Sequence, residues 1–322
     1  MPSLKPWRDG SVPGMIVTLT MSPAVDQFAA TPALVEDAKS RCRIHGQEPG
    51  GGGINVARNL RRMGLDVLAL FPAGGSHGRQ LQDLLEEDGL PCHPIPIQAE
   101  TTRNLALTEE DTARQFHLVF PGAALQEAEW EACLAAVGQH TPPGGHLVIS
   151  GSLPPGVPAD FLARIIRSAK AREVKVILDT SGPALRPALD AGVYLAKLNR
   201  EEFAELGYSG DGDVASRLTK MGELVDAGMA ELLIVTLGPG GALLATREGL
   251  RLHVQPPEVE VISHVGAGDS FVSVMTCRLY QGQPVDVAFR YGVAAAAAAI
   301  STPGNQLRDM DWLEKLYLLT GE

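Results

Sequence analysis

Six short runs of apolar residues punctuate the chain: Met15–Leu19, Val67–Phe71, Leu147–Ser150, Val174–Leu178, Val193–Ala196 and Leu232–Thr236. A strand with one wet face alternates apolar and polar positions. These runs are continuous, as strands of a parallel sheet covered on both faces should be. Between them, Ile54–Met63, Gly78–Asp88, Pro158–Arg172, Glu201–Leu206 and Asp213–Gly228 carry helical spacing. In the first, Ile54, Ala57, Leu60 and Met63 recur about one turn apart, and Arg58, Arg61 and Arg62 are expected to face outward. The alternation predicts an α/β fold, a doubly wound αβα sandwich around a mostly parallel sheet. Two stretches, about 25–44 and 102–119, read as strands with no helix between them, set off by Pro and Gly. They predict a small β-sheet lid inserted into a single domain spanning 15–322, with residues 1–14 a flexible N-terminal extension.

Composition narrows the partners. Lys and Arg total 27 against 38 Asp and Glu, a net charge of −11. That balance argues against a nucleic-acid surface, which needs a clustered basic footprint. The 45% hydrophobic content suits a soluble protein with a substantial core, and no apolar run is long enough to cross a bilayer. The four cysteines, Cys42, Cys92, Cys133 and Cys277, lie far apart with no CxxC pair, so a reducing cytoplasm is the expected compartment. The eight histidines show no metal spacing.

Ligands of doubly wound sheets bind outside the carboxyl ends of the strands. Here those ends carry Thr20 to Asp26, Ala73 to Gly75, Gly151-Ser152, Asp179, Leu198-Asn199 and Leu237 to Gly241. The sharpest motif is Val265-Gly-Ala-Gly-Asp-Ser270, opening a helical pattern that runs to about Tyr280. Gly266, Ala267 and Gly268 let the backbone approach a ligand closely, and their amides at a helix start favour an anion. Asp269 in that first turn is placed to take a proton from an attacking hydroxyl. The plainer reading is a glycine turn with an aspartate stabilised by the helix dipole.

Gly50-Gly-Gly-Gly-Ile-Asn-Val-Ala-Arg58 is a second glycine loop opening a helix, and its Asn55 suits a sugar hydroxyl. Thr236-Leu-Gly-Pro-Gly-Gly241 is a third, after a strand. Neither GxGxxG nor GxxxxGK[ST] occurs, which disfavours a dinucleotide fold and a Walker loop. Asn199-Arg-Glu-Glu202 fits a helix N-cap with acid in its first turn, though a carboxylate there also suits magnesium through water.

Together these segments resemble the ribokinase-like PfkB carbohydrate kinase family from about Val17 to the C-terminus, most of all its 6-phosphofructokinase branch. Pro49-Gly-Gly-Gly-Gly-Ile-Asn-Val-Ala-Arg58, Phe71-Pro-Ala-Gly-Gly75, Pro121-Gly-Ala-Ala-Leu125 and Ile149-Ser-Gly-Ser-Leu-Pro-Pro-Gly156 carry the resemblance. It implies phosphoryl transfer from Mg-ATP to a sugar phosphate, with fructose 6-phosphate expected and tagatose 6-phosphate or fructose 1-phosphate the alternatives. A catalytically silent sugar-phosphate sensor on the same scaffold is the alternative of another class.

By resemblance, Asp26, Gly51, Gly52, Gly53, Asn55, Arg103 and Ser152 contact the sugar phosphate, and Lys39 reaches a neighbouring subunit's site from a lid that forms a homodimer. Lys197, Asn199, Thr236, Gly238, Gly240, Gly241, Val293 and Ala297 line the nucleotide. Asn199 and Glu202 organise magnesium, Gly266 and Gly268 form the anion hole, and Asp269 is the base. Potassium is expected beside that hole, near Val265 and the loop 301–304. Three residues depart from the pattern: His264 replaces the usual Thr, Leu198 the usual Pro, and His117 an Arg that would hold the sugar's phosphate. Thr102-Arg-Asn104 resembles the spacing of tagatose-6-phosphate kinases.

Overall fold

A computed structural model describes residues 15–207, 212–263, 265–302 and 309–320, so the expected extension at 1–14 and His264 lie outside the described residues. The chain opens with β1 (Ile16–Leu19), leaves the main sheet through β2 (Ala24–Thr31) and β3 (Arg43–Gly50), and returns through α1 (Gly52–Arg62). Strand β4 (Val67–Ala73), α2 (Gly75–Glu87) and β5 (Cys92–Pro96) follow. A second excursion, β6 (Thr102–Glu109) and β7 (Arg114–Leu118), precedes α3 (Glu127–His140), β8 (His146–Ser150), α4 (Phe161–Lys170) and β9 (Lys175–Asp179). Next come α5 (Leu185–Asp190), β10 (Val193–Asn199), α6 (Arg200–Glu205), α7 (Val214–Asp226), β11 (Ala230–Thr236), β12 (Ala242–Thr246) and β13 (Arg251–Val254). Three helices close the described chain: α8 (Ala267–Tyr280), α9 (Val285–Ile300) and α10 (Met310–Leu319).

Nine strands form one sheet in the order β13-β12-β11-β10-β9-β8-β1-β4-β5. All pairs from β5 through β11 are parallel, and β12 and β13 add an antiparallel edge. All six apolar runs are strands of the parallel part, and successive residues feed opposite faces. Val17, Leu147, Ile149 and Leu178 enter one core with Trp130, Phe161 and Phe203 from α3, α4 and α6. Ile16, Val148 and Ile177 enter the other with Ile54, Leu60 and Phe271 from α1 and α8. Each fully buried side chain of this size contributes about 1.5–3 kcal/mol, so both faces had to be apolar.

The strand order reverses at β1. The chain moves outward from β1 to β4 and β5, then restarts on the other side with β8. A crevice opens at such a switch point, and the start of α1 fills its floor. A Cβ at Gly52 would overlap the Ser150 hydroxyl, and one at Gly53 would lie 2.6 Å from the Leu19 carbonyl. Gly52→Ala is therefore expected to cost about 1–3 kcal/mol through overpacking, measured as a lowered denaturation midpoint. An unchanged midpoint would mean that α1 can shift freely.

The two excursions form a separate four-stranded sheet, β3-β2-β6-β7, in which β2 and β6 run parallel. Its second strand continues to Gly50, past the expected limit at 44, so the sheet grows straight into the glycine loop. One expectation fails. Arg58 does not face outward: its side chain is 4% exposed, pairs with Asp88 at 2.6 Å and Glu48 at 3.6 Å, and donates to the Pro49 carbonyl. The guanidinium is held inside because it ties α1 to the base of β3. No helix among the described residues is long and apolar enough to cross a membrane.

Candidate active site

Asn55 and Asp269 lie 214 positions apart and are joined directly. Asn55 Nδ2 donates to Asp269 Oδ2 at 2.8 Å. Asn55 stands in the first turn of α1, where its backbone N–H donates to Gly51, whose φ of 109° is open to glycine. Asp269 stands in the first turn of α8. Gly266 there adopts the left-handed conformation, φ 78°, as N-cap with no side-chain cap bond. The first-turn amides of α8 precede the intrahelical hydrogen-bond ladder, so they point at the space in front of Asp269. The second and first glycine motifs thus meet at one floor.

Burial pushes the Asp269 carboxyl up to about 7; the Asn55 bond and Lys197 oppose the shift, while Asp179 and Asp26 add to it. Lys197, at the end of β10, donates to both oxygens of Asp179 at 3.1 and 3.2 Å. A Cβ at Gly268 would sit 3.0 Å from its Nζ, so the ammonium lies against the glycine turn that opens α8. Burial alone would lower the Lys197 pKa, but Asp179, Glu202 and Asp269 outweigh it and hold the side chain protonated. The floor is therefore a compact group of two carboxylates and one ammonium.

Asp26 projects from β2 at the lid's base. Asn104, its register partner on β6, donates to it at 2.9 Å. Burial raises the Asp26 pKa, and Glu48 raises it further against the Asn104 bond and Arg58. On the lid's cleft side a cavity of about 350 Å³ is lined by Phe28, His45, Gln115, His117, Ile262 and Val265 among others. A second, of about 750 Å³, is lined by Gly51, Thr102, Asn104, Gly151 and Ser152 among others. Among the described residues, neither is lined by a Lys or Arg.

Asn199 and Glu202 form a reciprocal capping box. The Glu202 N–H donates to Asn199 Oδ1 and the Asn199 N–H donates to Glu202 Oε2, both at 2.8 Å. Burial raises the Glu202 pKa, against the Asn199 bond and Lys197. Thr236 ends β11 beside this turn. The loop through Gly238, Gly240 and Gly241 is pinned by Leu237 N–H to Gly241 O at 2.7 Å and by Arg200 to Leu237 O at 3.1 Å. Val293 and Ala297 are buried on α9 in the helical layer behind α8. Among the described residues no three His, Cys, Asp or Glu side chains converge as a metal cage.

Lys39 lies exposed in the segment between β2 and β3, on the lid from which it is expected to reach a neighbouring subunit. One expected residue stands apart. Arg103 alternates to the face opposite Asn104 and donates to Gln80 on α2 at 2.9 Å. His264, and residues 303 and 304 of the potassium loop, lie outside the described residues. Asp179 and Arg200 stand at strand ends, but their partners carry no signature in the sequence: the register of β9 against β10 and of β10 against β11 brings Asp179 to Lys197 and Arg200 to the Leu237 carbonyl.

A carboxyl raised toward neutrality, set at a glycine-capped helix start at a switch point and roofed by a small sheet, is an arrangement suited to phosphoryl transfer. The model of the pfkB family of carbohydrate kinases matches residues 19–312, and the chain belongs to that family. It is 39% identical to the ATP-dependent 6-phosphofructokinase isozyme 2 of Mycobacterium tuberculosis, over 98% of this chain and 92% of that protein. It is equally 39% identical to the isozyme 2 of Escherichia coli, over 94% and 97%. The crystal structure of phosphofructokinase-2 from Escherichia coli in complex with potassium superposes with a TM-score of 0.91 at 38% identity, covering 95% of this chain and 99% of that one.

Proposed function

We propose that this carbohydrate kinase transfers the γ-phosphoryl group of ATP to fructose 6-phosphate, giving fructose 1,6-bisphosphate. The observation that carries the reading is the Asn55–Asp269 bond, which joins the sugar-facing glycine loop to a base at an anion-binding helix start. Asp26 and Asn55 orient the sugar, Asp269 takes the proton of the attacking hydroxyl, and the amides of 266–268 receive the charge of the transferring group. The loop 236–241 and Lys197 border the nucleotide. Asn199 and Glu202, partly exposed beside Lys197, would hold magnesium through water, and the ion bound with ATP would supply positive charge against the phosphates.

An assay of ADP release over fructose 6-phosphate, tagatose 6-phosphate, fructose 1-phosphate and unphosphorylated sugars tests the assignment. Fructose 6-phosphate should give the highest kcat/KM. A second reading, that the acceptor is another ketohexose phosphate, draws on Arg103 facing away from the cleft and on His117 standing at its lid. A preference for tagatose 6-phosphate or fructose 1-phosphate would establish it instead. No turnover with any sugar, with tight sugar-phosphate binding, would favour a sensor.

Since the base acts deprotonated, kcat/KM should fall tenfold per pH unit below about 7, where the Asp269 carboxyl titrates. A profile flat from pH 5.5 to 8 would remove Asp269 from this role.

Leu34, Val35, Ile44 and Leu118 are exposed on the lid, with Val119 and Phe120 just beyond β7. Such a patch supports a homodimer through the lid, which would carry Lys39 toward a partner's site. Sedimentation at micromolar concentration should give twice the monomer mass. Potassium activation, measured against sodium, is a further expectation of this reading.

A further inference from the structure

Arg103, Gln80, Gln47 and Gln27 form a chain of side-chain hydrogen bonds behind the lid. Arg103 Nη2 donates to Gln80 Oε1 at 2.9 Å, Gln80 Nε2 to Gln47 Oε1 at 2.5 Å, and Gln47 Nε2 to Gln27 Oε1 at 3.2 Å. A guanidinium can only donate, so the first amide must accept with its oxygen and pass its N–H onward. Arg103 therefore fixes the orientation of every amide after it, and a chain polarised in one direction is stronger than its separate bonds.

The register shows what the chain holds. Asp26 lies opposite Glu48 on β3 and Asn104 on β6. On one side of that rung Val25 pairs with Pro49 and Arg103; on the other Gln27 pairs with Gln47 and Leu105. Side chains of adjacent residues point to opposite faces of a sheet. The bonded residues thus occupy the two rungs that bracket Asp26, on the face turned away from the cleft. Gln80 is the member of the chain that belongs to the main domain, on α2, which packs against β2 and β3.

We propose that Gln80 is a positioning residue that pins these two rungs to α2 and so sets Asp26 and Asn104 against the acceptor sugar. The proposal rests on the reading that the cleft face of the lid holds the acceptor. Gln80 itself touches no reacting atom. Its loss should leave chemistry and nucleotide binding alone and loosen only the lid strands.

Steady-state kinetics and hydrogen exchange of the full chain test this. In Gln80→Ala the acceptor KM should rise about three- to tenfold, the scale of one or two hydrogen bonds, while kcat and the ATP KM stay within twofold. Gln80→Glu, which keeps the bond from Arg103 but has no N–H to give Gln47, should recover only part of the loss. In the ligand-free protein, amides of β2 and β3 should exchange several-fold faster in Gln80→Ala, with β8 to β10 unchanged. An unaltered acceptor KM, or a loss shared equally by kcat and the ATP KM, overturns the proposal. If no sugar is phosphorylated, it is the functional reading that fails, and the exchange measurement still decides whether Gln80 pins the lid. Equal exchange in wild type and variant means it does not.

Discussion

Replacing Asp269 by asparagine should lower kcat by about 10²- to 10⁴-fold, the range for loss of a positioned general base. The fold should persist, because the amide keeps the size of the side chain and can still bond Asn55. Stability gives an independent check with a defined sign. The folded-state pKa of about 7 lies above the ordinary aspartate value of 3.8, so between those pH values the native protein binds the extra proton. Wild-type stability from this group is then full below about pH 4 and is lost as pH rises through 7. The variant has no such loss, so its stability relative to wild type should increase from pH 4 to 8. Near-normal turnover would exclude Asp269 as the base. A constant stability difference over that range would mean the carboxyl is not raised.

Lys197→Met should be the most destabilising single change at the site. The Lys197 side chain is 9% exposed and its partner Asp179 12%. Removing the ammonium leaves Asp179 and Asp269 facing each other without a counter-charge. Breaking a buried pair in this way costs about 3–5 kcal/mol, and denaturant unfolding would read it. The same change removes a group that holds the Asp269 pKa down, so the acid limb of the pH–rate profile should move to higher pH. A limb that stays in place while stability falls would separate structural pairing from control of the base.

The sequence displayed the floor of this site well, because each glycine run stands at a strand or helix end. Continuous apolar runs located the parallel strands, and Asn199 with Glu202 was legible as a cap from spacing alone. Charge pairing was not legible. Asp179 and Lys197 are 18 residues apart and meet only through the neighbouring strands β9 and β10. Arg58 followed the outward side of a helical wheel, yet the acids that bury it come from β3 and the end of α2.

Arg103 teaches the opposite lesson. Adjacent strand residues face opposite ways, so Asn104 and Arg103 could not both line one cleft, and the motif resemblance hid that simple period. The alanine-rich run at 293–300 carries little helical pattern of its own. It belongs to a 16-residue helix whose small residues let α8 pack closely, with Gly292 against Phe271.

The bond between Asn55 and Asp269 also bears on how the protein comes into being. Its partners are contributed by opposite ends of the chain, and Asp269 is synthesised more than two hundred residues after Asn55. Contacts so distant in sequence are slow to form, since the whole intervening loop must be closed first. Enzymatic turnover should then be among the last properties to return on refolding, after helical signal and compactness. It would serve as a kinetic reporter of complete assembly that no local spectroscopic probe provides.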